Sequence, residues 1–443
     1  MALHFIYSLL PLLILRGAAS NPSNAPPHGR VDGPKHHGPP KCHGPDFVPD
    51  HILRLTYEEV NIGCQTRPSV LVNGSLPGPT LRLKPGKTSW IRVYNDMEDY
   101  NTTMHWHGLS QRTAIFSDGT PSASQWPIPP LHFFDYEVRP EKDDVGTYFY
   151  HSHVGFQMAT ASGPLIVEDG GQPPYDYDED MMVHLSDYFN KTDTAIERGL
   201  VADPFVWSGE TNAVLINGVG VPIGEEAGKD GCCRLPVLHV EAGKAYRMRF
   251  IGATALSMVQ LAFEDHENLT IINADGHYTK PHSERFMQVS TGQRFDVLFQ
   301  AKTHAELAGK NDYLIQFETK DRPSVYTGYG VLRYGGGKKI ITRGPDKPPM
   351  SLPSATYAWL EYALEPLEPN NFPTSDDVTR QLTIYDRQVL TQIDIWRLNG
   401  DQWNDSTIYN TPGDRPYLID IYERGPKAIP NYEAALDNKG WDP

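Results

Sequence analysis

VLVNG (residues 70–74) followed by LRLKPGKTSWIRV (81–93), and VLING (214–218) followed by LPVLHVEAGKAYRMRF (235–250), are two copies of one pattern. In each, an apolar run ends in Asn-Gly, an apolar-x-apolar pair follows, and Gly-Lys, at Gly86 and Gly243, leads into a second alternating run. Alternation with a period of two puts one face of a strand in a core and the other in solvent, and Asn-Gly is hairpin-turn chemistry. Recurrence of such a unit at a wide spacing marks the start of successive β-domains. A third opening reads WRLNG at 396–400.

Outward from these copies, the chain from Asp46 onward consists of short apolar runs punctuated by Gly, Pro and Asn, with no long stretch of 3.6-residue period. The fold class expected is therefore all-β, with tandem sandwich or barrel domains. Leu81 and Leu83, then Ile91 and Val93, read as two strands around a turn at Pro85-Gly86, and Tyr148 to His153 reads as a strand entered from Gly146. The 443 residues exceed one ordinary core. Domain one is placed at 46–170, domain two at 178–335, a Pro- and Gly-rich linker at 336–380 and a third domain at 381–443. That third domain has no Gly-Lys or Gly-Glu partner strand after Gly400, so it is expected to be an incomplete sandwich, from a truncated gene model or a natural remnant.

The N-terminus reads as an export signal over 1–20: an apolar run from Phe5 to Leu15 precedes the small residues Gly17, Ala18, Ala19 and Ser20. Residues 21–45, dense in Pro, Gly and His, read as a disordered arm. Unblocked N-x-[ST] sequons at Asn73, Asn101, Asn190, Asn268 and Asn404 favour a secreted, N-glycosylated protein. Cys42, Cys64, Cys232 and Cys233 form an even set without CxxC, which favours disulfides over zinc. Adjacent cysteines rarely bond to each other, so Cys232 and Cys233 are expected to reach back to Cys42 or Cys64. A formal charge of −16 argues against a nucleic-acid partner. No run after the leader is long and apolar enough to span a membrane.

The chemistry is concentrated in His105-Trp106-His107-Gly108 and His151-Ser152-His153. On a strand, positions i and i+2 face the same way, so each motif displays two imidazoles together. One such pair by itself reads more readily as a polar solvent-facing strand; two in one domain, with Gly108 and Gly155 nearby, point to a metal site. Imidazole suits copper, zinc, iron and nickel, and an all-His set without carboxylate tilts the choice to copper. His132, His184, His239, His266, His277, His282 and His304 stand alone and read as structural.

TTMHWHGLSQR, FSDGT, SQWPIPP, GTYFYHSHVGFQ and SGPLIVED resemble the first domain of multicopper oxidases, particularly fungal members similar to laccase and ascorbate oxidase. INADGHYTKP and TGQRFDVLF resemble the second domain, and the similarity runs from about Asp46 to Pro443. The resemblance implies tandem cupredoxin-like Greek-key sandwiches, with His105 on a type 2 copper and His107, His151 and His153 on a type 3 pair, half of a trinuclear cluster. Asp118 in FSDGT matches a residue that helps deliver protons to reduced oxygen; read by itself it is equally a turn Asp before Gly119. The implied reaction is one-electron oxidation of a phenolic, diphenolic or ascorbate-like reductant coupled to reduction of O2 to water, as in pigment or secondary metabolism. The family's type 1 site needs a thiolate and imidazoles from domain three, yet no His follows His304 and no Cys follows Cys233. An inactive copper-binding glycoprotein is therefore the competing expectation, with a homodimer of half-sites or an adhesive β-sandwich behind it.

Overall fold

The computed structural model describes residues 43–336 except 45, 122, 201, 203 and 226–232, then 344–354 except 346, 360–369, 376, 378, and strand backbone at 386–390, 394–398 and 401–402. The leader, nearly all of the arm, much of the linker and most of the third-domain region expected from the sequence lie outside the described residues.

The first sandwich is built from β1 (His51–Ile62), β2 (Gln65–Val72), β3 (Leu81–Leu83), β4 (Ser89–Asn95), β5 (His105–His107), β6 (Phe133–Val138), β7 (Gly146–His151) and β8 (Ser162–Val167). They form two four-stranded sheets, ordered β2-β1-β4-β6 and β3-β8-β7-β5. Both sheets are mixed, because β1 runs parallel to β4 and β3 runs parallel to β8. The alternating residues fill the space between the sheets: Leu53, Leu55, Ile91, Val93, Tyr136, Val138, Tyr150, Leu165 and Trp106 are all buried in one cluster. The Pro85-Gly86 turn does not close a hairpin; it carries the chain from β3 in one sheet to β4 in the other.

One strand ends earlier than its sequence suggests. β7 stops at His151, because the Ser152 hydroxyl accepts the Val154 N–H and the chain turns at Gly155, where φ is +54°. His153 therefore lies past the strand rather than on its face.

The second sandwich comprises β9 (Glu179–Tyr188), β10 (Ala213–Ile216), β11 (Val237–Val240), β12 (Ala245–Gly252), β13 (Met258–Phe263), β14 (Leu269–Ala274), β15 (His277–Glu284), β16 (Met287–Val289), β17 (Arg294–Gln300), β18 (Asp312–Lys320) and β19 (Thr327–Tyr334). The sheets run β10-β9-β12-β17-β14-β15 and β11-β19-β18-β13-β16. Helix α1 (Asp193–Leu200) bridges β9 and β10 in sequence. Backbone at Asp386–Leu390, Asp394–Leu398 and Asp401–Gln402 forms a further small antiparallel sheet.

Among the attachments that hold the two sandwiches together, three lie at a disulfide, a buried arginine and a buried charged cluster. Cys64, in the β1–β2 turn, is disulfide-bonded to Cys233, closing 169 residues; this is one of the reach-back pairings expected from the sequence, while Cys42 and Cys232 lie outside the described residues. Arg67 on β2 donates to Asp193 (2.5 Å) and to the Phe189 and Lys191 carbonyls (2.6 and 2.9 Å). The third attachment is a charged cluster excluded from water. Asp296 on β17, fully buried, meets Arg247 at 2.5 Å and Arg249 at 3.2 Å and accepts the hydroxyl of Thr147 on β7 at 2.5 Å. Arg247 also reaches Asp169 and the Tyr278 hydroxyl, at 3.2 and 2.7 Å.

Among the sequon asparagines, Asn73, Asn101, Asn190 and Asn268 are exposed; Asn404 lies outside the described residues. Among the described residues, no helix is long and apolar enough to cross a membrane.

Asp296 is the fully buried carboxylate shared by Arg247 and Arg249, whose other acid partners, Asp169 and Asp180, lie nearer solvent, so Asp296→Ala leaves two buried guanidiniums under-compensated. It should lower unfolding stability by about 3–5 kcal/mol in urea titrations; a change below about 1 kcal/mol would show that water reaches the cluster.

Candidate metal centre

Strand pairing creates the site. β5 and β7 are antiparallel neighbours in a register that sets His105 opposite His151 and His107 opposite Phe149. Opposed residues on one face have side chains about 5 Å apart, so the pairing brings together imidazoles that are 46 positions apart in sequence, from His105 to His151. Trp106, between the two histidines of β5, turns to the core and donates its indole N–H to the Ser117 carbonyl at 2.9 Å.

His105, His107 and His151 form one group in which each ring offers a nitrogen and these atoms lie within 4.8 Å of one another. Backbone carbonyls fix two of the rings. A carbonyl only accepts, so the 2.7 Å contact from His105 Nδ1 to the Asp118 oxygen and the 2.8 Å contact from His151 Nδ1 to the Ser152 oxygen place the proton on Nδ1 in both. Each Nε2 is left with a free lone pair, the arrangement by which carbonyls orient metal-binding histidines. His107 is turned the other way. Its Nδ1 lies 3.4 Å from His151 Nε2, its face stacks on Phe149 with centroids 4.4 Å apart, and its Nε2 edge rests against Gly292 of the second sandwich. A Cβ at Gly292 would come 2.8 Å from both Cε1 and Nε2 of that ring, so only glycine fits there without moving the histidine.

The geometry suits a metal ion. An imidazole–metal bond of about 2.0–2.1 Å limits two donors of one ion to about 4 Å apart, and the 3.4 Å pair meets that limit. Burial pushes the His151 pKa down to about 3 and the His107 pKa to about 2, the latter helped by the Arg294 guanidinium; His105 is also lowered by burial, against the opposing pull of Asp118. All three rings are thus held neutral, the form that ligates.

His153 stands beside this group rather than within it, its ring centroid 5.5 Å from that of His105 and 5.8 Å from that of His151. Asp118 lies behind His105: its carboxylate is 3.5 Å from His105 Nδ1 and accepts the Thr120 hydroxyl at 2.6 Å. The isolated histidines remain apart from the centre. His184 is buried, with Nε2 3.2 Å from the Ser162 hydroxyl; His266 contacts the Tyr334 hydroxyl at 2.7 Å; His282 contacts Glu284 at 2.9 Å. Gly292 and Arg294, both from the second sandwich, and Phe149 were not singled out by reading the sequence. TGQRFDVLF contains the first two, but no local signal tells that this loop touches a histidine 185 residues earlier, at His107.

A β-sandwich pair with an imidazole cluster between strands of the first sandwich defines a metalloprotein of the cupredoxin-like kind. Models of the multicopper oxidase family match residues 54–172 and 179–337, and the chain belongs to that family of copper-dependent oxidoreductases, which use O2 and reducing substrates such as phenols or ascorbate. It is 46% identical to laccase-like multicopper oxidase 1 of Thermothelomyces thermophilus, over 90% of this chain and 68% of that protein. It is 48% identical to multicopper oxidase aurL2 of Gibberella zeae, over 91% of this chain and 69% of that protein. L-ascorbate oxidase of Cucumis sativus is 32% identical over 66% of this chain and 50% of its own length. The laccase of Botrytis aclada superposes with a TM-score of 0.66 at 24% identity, covering 79% of this chain and 63% of its own, which supports the fold.

The sign of the pH response follows from the depressed values. Below the unfolded value of 6.5 and down to about 3, the folded protein binds fewer protons at His107 and His151 than the unfolded chain does. The stability these groups contribute is present above pH 6.5 and declines as pH falls through that window. In metal-free protein, 15N NMR should find both rings neutral at pH 5; imidazolium signals there would refute the burial argument.

Proposed function

We propose that His105, His107, His151 and His153 hold copper as half of a trinuclear type 2/type 3 site, in a secreted, N-glycosylated oxidase. It would take electrons singly from a phenolic, diphenolic or ascorbate-like reductant and pass them to O2, giving water, within a pigment or other secondary pathway. The observation that carries this reading is the grouping of three neutral, pre-oriented imidazoles whose donor nitrogens lie within 4.8 Å of one another. The fungal relatives that match along about two thirds of their length support the same chemistry.

Bound copper would supply one-electron exchange. The residues of this chain supply the rest. The Asp118 and Ser152 carbonyls hold His105 and His151 with Nε2 presented, and Phe149 and Gly292 hold His107 with Nδ1 presented. The Asp118 carboxylate is hydrogen-bonded to Thr120 and partly open to solvent, so it can hold a proton next to His105 and exchange it with water during the uptake of four protons that reduction of O2 to two waters requires.

Oxygen uptake with a diphenol tests the turnover that this reading requires.

His107→Ala and His153→Ala should each weaken copper binding by about 10-fold or more in equilibrium dialysis, with the near-UV CD of the fold retained. Full copper content in both variants would remove the copper reading.

A further inference from the structure

Three of the four imidazoles are placed by features already described: strand pairing fixes His105, His107 and His151. His153 has no such support. It follows the end of β7, and among the described residues its ring nitrogens make no hydrogen bond to a backbone carbonyl. Its direction depends on the turn that comes next, Val154-Gly155-Phe156.

That turn is held by the second sandwich. The Glu197 carboxylate on α1 accepts the Phe156 N–H, and it lies so close to the Cα of Gly155 that a Cβ there would overlap it. Gly155 has φ +54°, a conformation that also disfavours a side chain. The helix that carries Glu197 is itself anchored at both levels. Asp193 at its start is bound by Arg67 of the first sandwich at 2.5 Å, and Ile196 packs with Phe156, Ala159 and Phe189 in a small buried cluster. On the other side, Gln157 accepts the hydroxyls of Ser152 (2.7 Å) and Thr102 (3.0 Å), so the segment 152–157 is gripped from both domains.

We propose that Glu197 is a positioning residue for the metal centre: through the Phe156 amide and Gly155 it sets the turn that aims His153 at the same ion group as His105 and His151. A charged acceptor suits this role, because a hydrogen bond to a carboxylate is roughly twice as strong as a neutral one. The second domain, which contributes no imidazole to the group, thereby shapes the site by two contacts, Gly292 against His107 and Glu197 against the His153 turn. The inference rests on the copper reading given above.

The test is copper(II) titration of the full chain, followed by affinity and by the EPR spectrum, for the parent protein, Glu197→Ala, Glu197→Gln and Ile315→Val. Glu197→Ala should weaken copper binding about 10-fold and change the EPR hyperfine pattern. Glu197→Gln keeps an acceptor oxygen and should restore most of both. Ile315→Val loosens the core of the second sandwich away from the turn, so it should lower the urea midpoint without altering the copper signal. Equal loss of affinity in Ile315→Val and Glu197→Ala, or a parent-like spectrum and affinity in Glu197→Ala, would overturn the positioning role and leave the copper reading standing. A parent protein that takes up no copper would overturn both.

Discussion

The antiparallel pairing of two short strands, with His105 set across from His151, is the constraint on which the remaining structure depends. Strands one residue out of register would turn one of these rings to the opposite face of the sheet, because successive side chains alternate. Much of the surrounding architecture serves to hold that register. Trp106 and Tyr150, also cross-strand partners, are buried in the sandwich core behind the site. Thr147, on the same strand as His151, is fixed by Asp296 and Arg249 and through its carbonyl by Arg294. Core packing therefore fixes the strand from behind, and the neighbouring domain fixes it along its length.

Neutral imidazoles in a buried cluster carry an energetic cost. Burial strips the charged form of each ring of its hydration, so all three rings are held without a second proton and their pKa values fall. A buried ion cluster, a disulfide and the Arg67–Asp193 bond join one sandwich to the other around this cluster. Burial and tautomer control act together. The same carbonyls that fix Nδ1–H leave Nε2 available, so the site is arranged for ligation before any ion arrives, which lowers the ordering cost of binding.

Much of this was legible in the residues themselves. The repeated Asn-Gly and Gly-Lys pattern identified the sandwich character, and the i, i+2 spacing of His105 and His107 predicted a shared face with Trp106 turned away. At His153 only the strand boundary differs: Ser152 and Gly155 end the strand and a hydroxyl-capped turn takes over, yet the ring still lies beside those of His105 and His151. Asp118 was ambiguous between turn and proton carrier, and the structure shows why: its carbonyl orients His105 while its carboxylate lies beside the same ring. Contacts made across the domain boundary, by Gly292, Arg294 and Glu197, could not be read from local pattern, since each depends on packing between segments far apart in sequence. The family resemblance supplied copper, where ligand chemistry alone left several metals open.

The claim that matters most is that four histidines from two neighbouring segments enclose copper. Its most direct test is anomalous diffraction at the copper edge from crystals of the copper-loaded chain. The account predicts peaks bounded by Nε2 of His105 and His151 and Nδ1 of His107, with the His153 ring alongside. Copper found only elsewhere, or bound with these rings turned apart, would contradict it.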